Sequence, residues 1–261
     1  MSALPTTIVS SRQRLAVVVA IALGLIWSQY SGTVARVVAP AGIAGLPYSR
    51  SFLASVSDVV VLLLLLVLVA RVSGARAWRV VGLHGPPAPA IVSLVALLAA
   101  ASAICVTAAP FSDSVTVADL AWLGMGGPFF EEVTYRGLAV GSLMLLAGWR
   151  FLPAVLVPSV MFGAAHAWQG SGLQEVAGIV AITTAGGLLF GWLYVRWGFN
   201  LWPAIIAHMG LNLIWVAFAL GESAIGGWFG NVLRLSLVTM IVVTTWWLSS
   251  PAVASRWRSR F

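Results

Sequence analysis

The chain of 261 residues has no lysine, a single cysteine and few charges of any kind, with only 8% of its residues Asp, Glu, Lys or Arg. Soluble globular domains carry about a quarter charged residues, so a surface that faces water on all sides is excluded. Cys105 alone rules out a disulfide framework, and it lies in an apolar run that does not favour a thiolate nucleophile. No histidine is followed by glutamate, so the His-Glu-x-x-His signature of zinc proteases is absent. Ser171, in Gln169-Gly170-Ser171-Gly172, lacks the glycine spacing of a nucleophile elbow. Asp58 is the only aspartate well inside an apolar run, which leaves an aspartyl dyad without its second member. No repeat or low-complexity segment is evident.

What remains is hydrocarbon, with 61% hydrophobic residues and a mean hydropathy of +1.01. A bilayer core takes roughly 20 apolar residues per helix. Apolar runs bounded by Arg, Gly and Pro give eight candidate spans, roughly 14–31, 51–70, 89–109, 118–147, 151–168, 174–196, 200–220 and 227–249. The predicted fold class is all-α, a polytopic bundle of about eight transmembrane helices forming one integral membrane domain over residues 1–261. Arg12 and Arg14 before the apolar stretch from Leu15 to Trp27 have the look of a signal peptide. Ser28-Gln29-Tyr30-Ser31 offers no small-x-small cleavage pattern, so the first helix is read as retained. The Pro-rich turn His84-Gly85-Pro86-Pro87 reads as a loop within one domain.

Short cytoplasmic loops collect arginine. With eight spans and both termini cytoplasmic, Arg12, Arg14, Arg71, Arg76, Arg79, Arg150, Arg196, Arg256, Arg258 and Arg260 fall inside, ten of the fourteen arginines. Arg36 and Arg50 fall outside, and Asp113, Asp119, Glu175 and Glu222 lie outside or near that boundary. The expected location is a multi-pass protein of the inner or plasma membrane. Because the arginines sit at the ends of apolar runs and form no stripe, the net charge of +7 does not indicate nucleic-acid binding.

Charges near the bilayer centre cost about 2.5 to 3.5 kcal/mol each on insertion scales, yet the fourth span reads Gly-Gly-Pro-Phe-Phe-Glu-Glu-Val-Thr-Tyr-Arg-Gly and carries Glu131, Glu132 and Arg136. Glu132 and Arg136 are four apart and share a helical face, whereas Glu131 points about 100° away. A buried ion pair locking helices together would need only one of the two carboxylates. His166, four residues after Phe162, lies near the outer end of the fifth span, and His208 and Asn212 project from one face of the seventh. At ~1.5 Å per residue, Glu131 lies roughly 20 Å below the outer end of its span, with His208 and Asn212 within about 10 Å of that depth and His166 higher. A kink at Pro128 would close the difference. A lone membrane histidine often serves only as a helix–helix hydrogen bond, but two imidazoles, two carboxylates, an amide and a guanidinium in one low-dielectric cavity suit water activation and oxyanion stabilisation. Gly186, Gly187 and Gly191 read as a close-packing face. Asp58 and Arg234 both lie about 10 to 12 Å from their outer ends by the same rise and are expected to pair.

Glu131-Glu132-xxx-Arg136, Phe162-xxx-His166 and His208-xxx-Asn212, on successive spans in this order, resemble the CAAX prenyl protease type 2 and bacteriocin-processing family (Abi, intramembrane glutamic endopeptidases) over about residues 118–216. The resemblance implies an endopeptidase that hydrolyses a peptide bond of a membrane-associated protein or peptide, with that segment as catalytic core and no metal or other cofactor. It implies that Glu131 and His166 activate water, that His208 and Asn212 stabilise the oxyanion, and that Glu132, Arg136 and Phe162 support them. An alanine-rich chain whose basic residues are all arginine reads as bacterial. Leader processing or cleavage of a membrane protein then fits better than a prenylated substrate. A zinc-dependent membrane protease and a non-enzymatic transporter or immunity protein are the rival readings.

Overall fold

The computed structural model describes residues 10–85, 88–218, 220 and 225–248. Pro86, Pro87, Glu222, Arg256, Arg258 and Arg260, and with them the placement of the C-terminus, lie outside the described residues. Among the described residues the chain is helical, without strands beyond one isolated bridge between Phe111 and Phe218. Its main elements are α1 (Ser11–Val38), α2 (Ser49–Leu68), α3 (Ala88–Ala108), the helical stretch 117–145 called α4, α5 (Phe151–Ala164), α6 (Leu173–Arg196), α7 (Trp202–Ala217) and α8 (Trp228–Leu248).

Five helices, Ser11–Val38, Ser49–Leu68, Phe151–Gln169, Leu173–Arg196 and Trp228–Leu248, are long and apolar enough to cross a membrane, and Leu94–Ala108 and Trp202–Ala217 are shorter apolar helices. Exposure is inverted relative to a water-soluble protein. Leu15, Leu23, Leu64, Leu156, Leu235 and Trp246 point outward, whereas Glu132, Thr134, Arg136, Ser142, Ser159 and His208 are buried. Such a surface fits hydrocarbon, where polar groups must be satisfied within the protein. The chain is a membrane protein.

Successive helices run up and down, which gathers the arginine-bearing ends. The Gln13 side chain donates to the carbonyls of Ala70 and Arg71, and the Leu201 amide donates to Gly82, so the starts of α1 and α7 meet the segment after α2. At the opposite end the Ser112 amide donates to Ala217, and the Tyr48 hydroxyl donates to Asp119. That hydrogen bond, with burial and the Asp119 charge, pushes the Tyr48 phenol up to about 12, so it stays protonated.

α4 is the central rod, packed against α1, α2, α5, α6 and α7. Thr116 and Asp119 form a capping box at its start. Beyond it the winding is uneven, with π-helical turns over Leu120–Gly126, an α-helical turn over Gly127–Glu131 and π-helical turns again over Glu132–Val140. Pro128 was expected to close the depth difference by a kink. It sits in the short α-helical turn between two widened stretches, where its missing N–H leaves a carbonyl of the preceding turn without its usual partner. All nine residues of the second π-helical stretch are buried.

Close packing of α5 on α6 depends on three glycines. A Cβ at Gly187 would meet Ser159 Cβ at 2.8 Å and Arg136 Nη2 at 3.1 Å, and one at Gly191 would meet Val155 Cγ1 at 2.5 Å. Gly186, in contrast, has only Phe190 at 3.8 Å and is not a contact position. Gly163 on α5 is the tightest, because its Cβ would lie 2.2 Å from Thr184 Oγ1 and 2.7 Å from the Val180 carbonyl oxygen. Gly163→Ala is therefore expected to destabilise the bundle by about 1–3 kcal/mol, read as a lowered Tm in detergent.

Candidate functional site

Glu132 is fully buried, and its Oε1 accepts hydrogen bonds from Arg136 Nη1 at 2.9 Å and from His208 Nδ1 at 2.8 Å. The first joins residues four apart on one rod, as expected from the sequence; the second ties α4 to α7. Arg136 is held over the Phe162 ring at 4.4 Å and lies 5.4 Å from the Phe190 ring. Two aromatic faces thus accompany a guanidinium that is 1% exposed.

Glu131 faces elsewhere, and its side chain is 29% exposed. Its carboxylate lies between two imidazoles, with Oε1 3.8 Å from His166 Nε2 and Oε2 3.7 Å from His208 Nε2. Both distances exceed a direct hydrogen bond and lie within the reach of one bridging water. The two adjacent carboxylates therefore have different surroundings: Glu132 is clamped, and Glu131 is open.

Each imidazole has its Nδ1 committed. His166 Nδ1 lies 2.8 Å from the Phe162 carbonyl oxygen, which can only accept, so Nδ1 carries the proton. His166 itself follows the end of α5 and leads into a 3-10 turn, Ala167–Gln169. Helical geometry has already ended there, which lets the ring fold back toward Glu131. His208 Nδ1 donates to Glu132, and its ring stacks on Phe190 with centroids 4.5 Å apart and planes 19° apart. Phe162 packs edge-on against both His166 and Tyr135, at 4.6 and 5.0 Å between centroids. In neutral imidazoles both Nε2 atoms are left as acceptors turned toward Glu131.

Glu131, Glu132, Arg136, Phe162, His166 and His208 are brought together. Asn212 meets the same rod at a different level, where its Nδ2 donates to the Leu123 carbonyl oxygen at 3.1 Å in the first π-helical stretch. One amide hydrogen is thereby engaged, and the amide group has a second. Phe190 was not singled out from the sequence, since an aromatic residue on an apolar helix carries no signal of its neighbours.

The expected Asp58–Arg234 pair does not form. Asp58 hydrogen-bonds with Ser31, while Arg234 lies 3.9 Å over the Trp215 ring and donates to Asn231. Similar depth did not place them together, because α2 packs on α1 and α4 whereas α8 packs on α3 and α7.

Residues 113–214 match the family model described as Rce1-like, type II CAAX prenyl endopeptidase. This stretch, less than half of the chain, is similar to that family. It corresponds closely to the span of resemblance seen in the motifs and includes Glu131, Glu132, Arg136, Phe162, His166, His208 and Asn212. Neither a curated protein nor a solved structure matches the chain. Asp58, Ser28 and Ser31 lie outside the matched stretch.

Proposed function

We propose that the chain is an intramembrane glutamic endopeptidase that hydrolyses a peptide bond of a membrane-associated protein or peptide. The observation that carries this reading is the Glu131 carboxylate, partly open and flanked at 3.8 and 3.7 Å by the Nε2 atoms of His166 and His208. A water held among these acceptors points its hydrogens at Glu131 and His166. As its oxygen attacks the scissile carbonyl carbon, a proton passes to Glu131 or His166 and later to the departing amide nitrogen.

The charge that develops on the carbonyl oxygen needs donors. His208 can donate from Nε2 only when both ring nitrogens carry protons, and Glu132 is placed to hold the Nδ1–H of that imidazolium. The unspent amide hydrogen of Asn212 is the second donor. Arg136 fixes Glu132, and Phe162 with Phe190 fixes the rings. Residues 118–216 form the catalytic core of a single membrane domain, with eight spans and cytoplasmic termini in a bacterial plasma membrane. The gathering of Arg14, Arg71 and Arg150 toward one end of the bundle supports that orientation.

The test is cleavage of membrane-anchored peptides by the purified protein in excess chelator. Activity is expected to persist, and His166→Ala to lower kcat by on the order of 10²–10⁴ without loss of folding. Activity that chelator removes and zinc restores would support a metal mechanism instead.

A further inference from the structure

The end of the bundle where α1 begins holds arginines that the proposed hydrolysis does not use. Gln13 donates to the carbonyls of Ala70 and Arg71, which fixes the start of α1 against the segment after α2. The start of α1 also meets the loop before α5, since a Cβ at Gly148 would lie 3.4 Å from Arg14 Nη1. Three stretches far apart in sequence thus bring Arg12, Arg14, Arg71 and Arg150 to one rim, and all four are exposed.

No acid answers them. Glu131 and Glu132 lie at the candidate site, Asp58 is within α2 and Asp119 is bonded at the opposite end. Residues 1–57, 59–112 and 133–174 contain no Asp or Glu. Among the described residues, no hydrogen bond or ion pair engages the side chains of Arg12, Arg71 or Arg150. Arg71 moreover holds a left-handed backbone, with φ 55°, where glycine is the residue that fits without strain. The reason for arginine there is its side chain and not the turn.

The rim has an apolar side as well. Within three residues of these arginines stand Leu15, Leu68 and Leu152, which are 65%, 61% and 64% exposed. A guanidinium grips phosphate with two parallel hydrogen bonds, and exposed leucines next to it offer a surface for hydrocarbon. A free phosphate would use the first feature and leave the second without a purpose. Like charges gathered without a counter-ion repel one another, and an anion among them relieves that repulsion.

We propose that this rim is a binding site for an anionic phospholipid, with the phosphate held among Arg12, Arg14, Arg71 and Arg150 and the acyl chains lying along Leu15, Leu68 and Leu152. On the proposed orientation this end faces the cytoplasm, where the leaflet carries anionic lipids and basic clusters bind their headgroups.

Native mass spectrometry of the full chain, released from nanodiscs of equal phosphatidylglycerol and phosphatidylcholine, tests the site without reference to cleavage. The wild type is expected to retain phosphatidylglycerol over phosphatidylcholine by on the order of tenfold. The triple variant Arg12→Gln, Arg71→Gln, Arg150→Gln is expected to carry both lipids equally, and Arg36→Gln, at the far end of α1, to keep the wild-type preference. If the triple variant does not fold, Arg71→Gly serves, because glycine suits that backbone, and the preference is expected to fall by about fivefold. Equal retention of the two lipids by the wild type overturns the proposal, as does a preference that survives the substitutions at the rim or is lost in Arg36→Gln. Complete displacement of the phosphatidylglycerol by inorganic phosphate also overturns it, since the rim would then be a site for a free anion.

Discussion

Glu131→Gln is expected to leave the fold intact and to lower peptide cleavage by a factor on the order of 10²–10⁴. The amide has nearly the shape of the carboxylate, and the side chain makes no direct hydrogen bond that holds helices together, since both imidazole contacts lie at 3.7–3.8 Å. What is lost is the proton acceptor. Cleavage kinetics and a thermal melt on the same preparation check both halves. A variant that loses cleavage only by unfolding would place Glu131 with the structural residues. Glu132→Gln should behave differently, because Glu132 is fully buried and holds both Arg136 and His208.

The largest effect on stability is expected from Arg136→Met. This guanidinium is 1% exposed, and its partner Glu132 is 0% exposed. Removal of one member leaves an uncompensated buried carboxylate and costs about 3–5 kcal/mol. The double variant Arg136→Met, Glu132→Gln should recover much of that loss, since no charge is then stranded, although His208 exchanges a carboxylate acceptor for an amide oxygen. Thermal unfolding of the two single variants and the double variant in one detergent gives the coupling directly. A single Arg136→Met with an unchanged Tm would mean that the pair contributes nothing to the bundle.

Much of the site could be read from the sequence because its residues are expensive where they stand. Glu131, Glu132 and Arg136 in an apolar rod, and His166 and His208 in neighbouring ones, each needed a reason, and four-residue spacing announced the Glu132–Arg136 pair. The same spacing was less informative for His208 and Asn212. They do share a face, but their partners on the antiparallel rod are Glu132 and the Leu123 carbonyl, nine residues apart. Spacing specifies a direction and not what lies in it.

The rest was hidden for similar reasons. The π-helical stretches on either side of Gly127–Glu131 depend on how a rod is packed from all sides, and Pro128 alone suggested only a kink. Asp58 and Arg234 matched in depth, yet depth fixes one coordinate of three, and helix order around the bundle sent Asp58 to Ser31 and Arg234 to Trp215. Phe190 carries a stack on His208 that composition could not distinguish from ordinary lining. Apolar runs bounded by arginine and glycine locate the rods, although only five of the described helices reach full spanning length and hydropathy.

The most direct test of the water-activating acid is mass spectrometry of a lipid-reconstituted sample incubated with membrane-anchored peptides in excess chelator, with Glu131→Gln alongside. New peptide termini from the wild type and none from the folded variant are the predicted outcome; identical termini from both would contradict it.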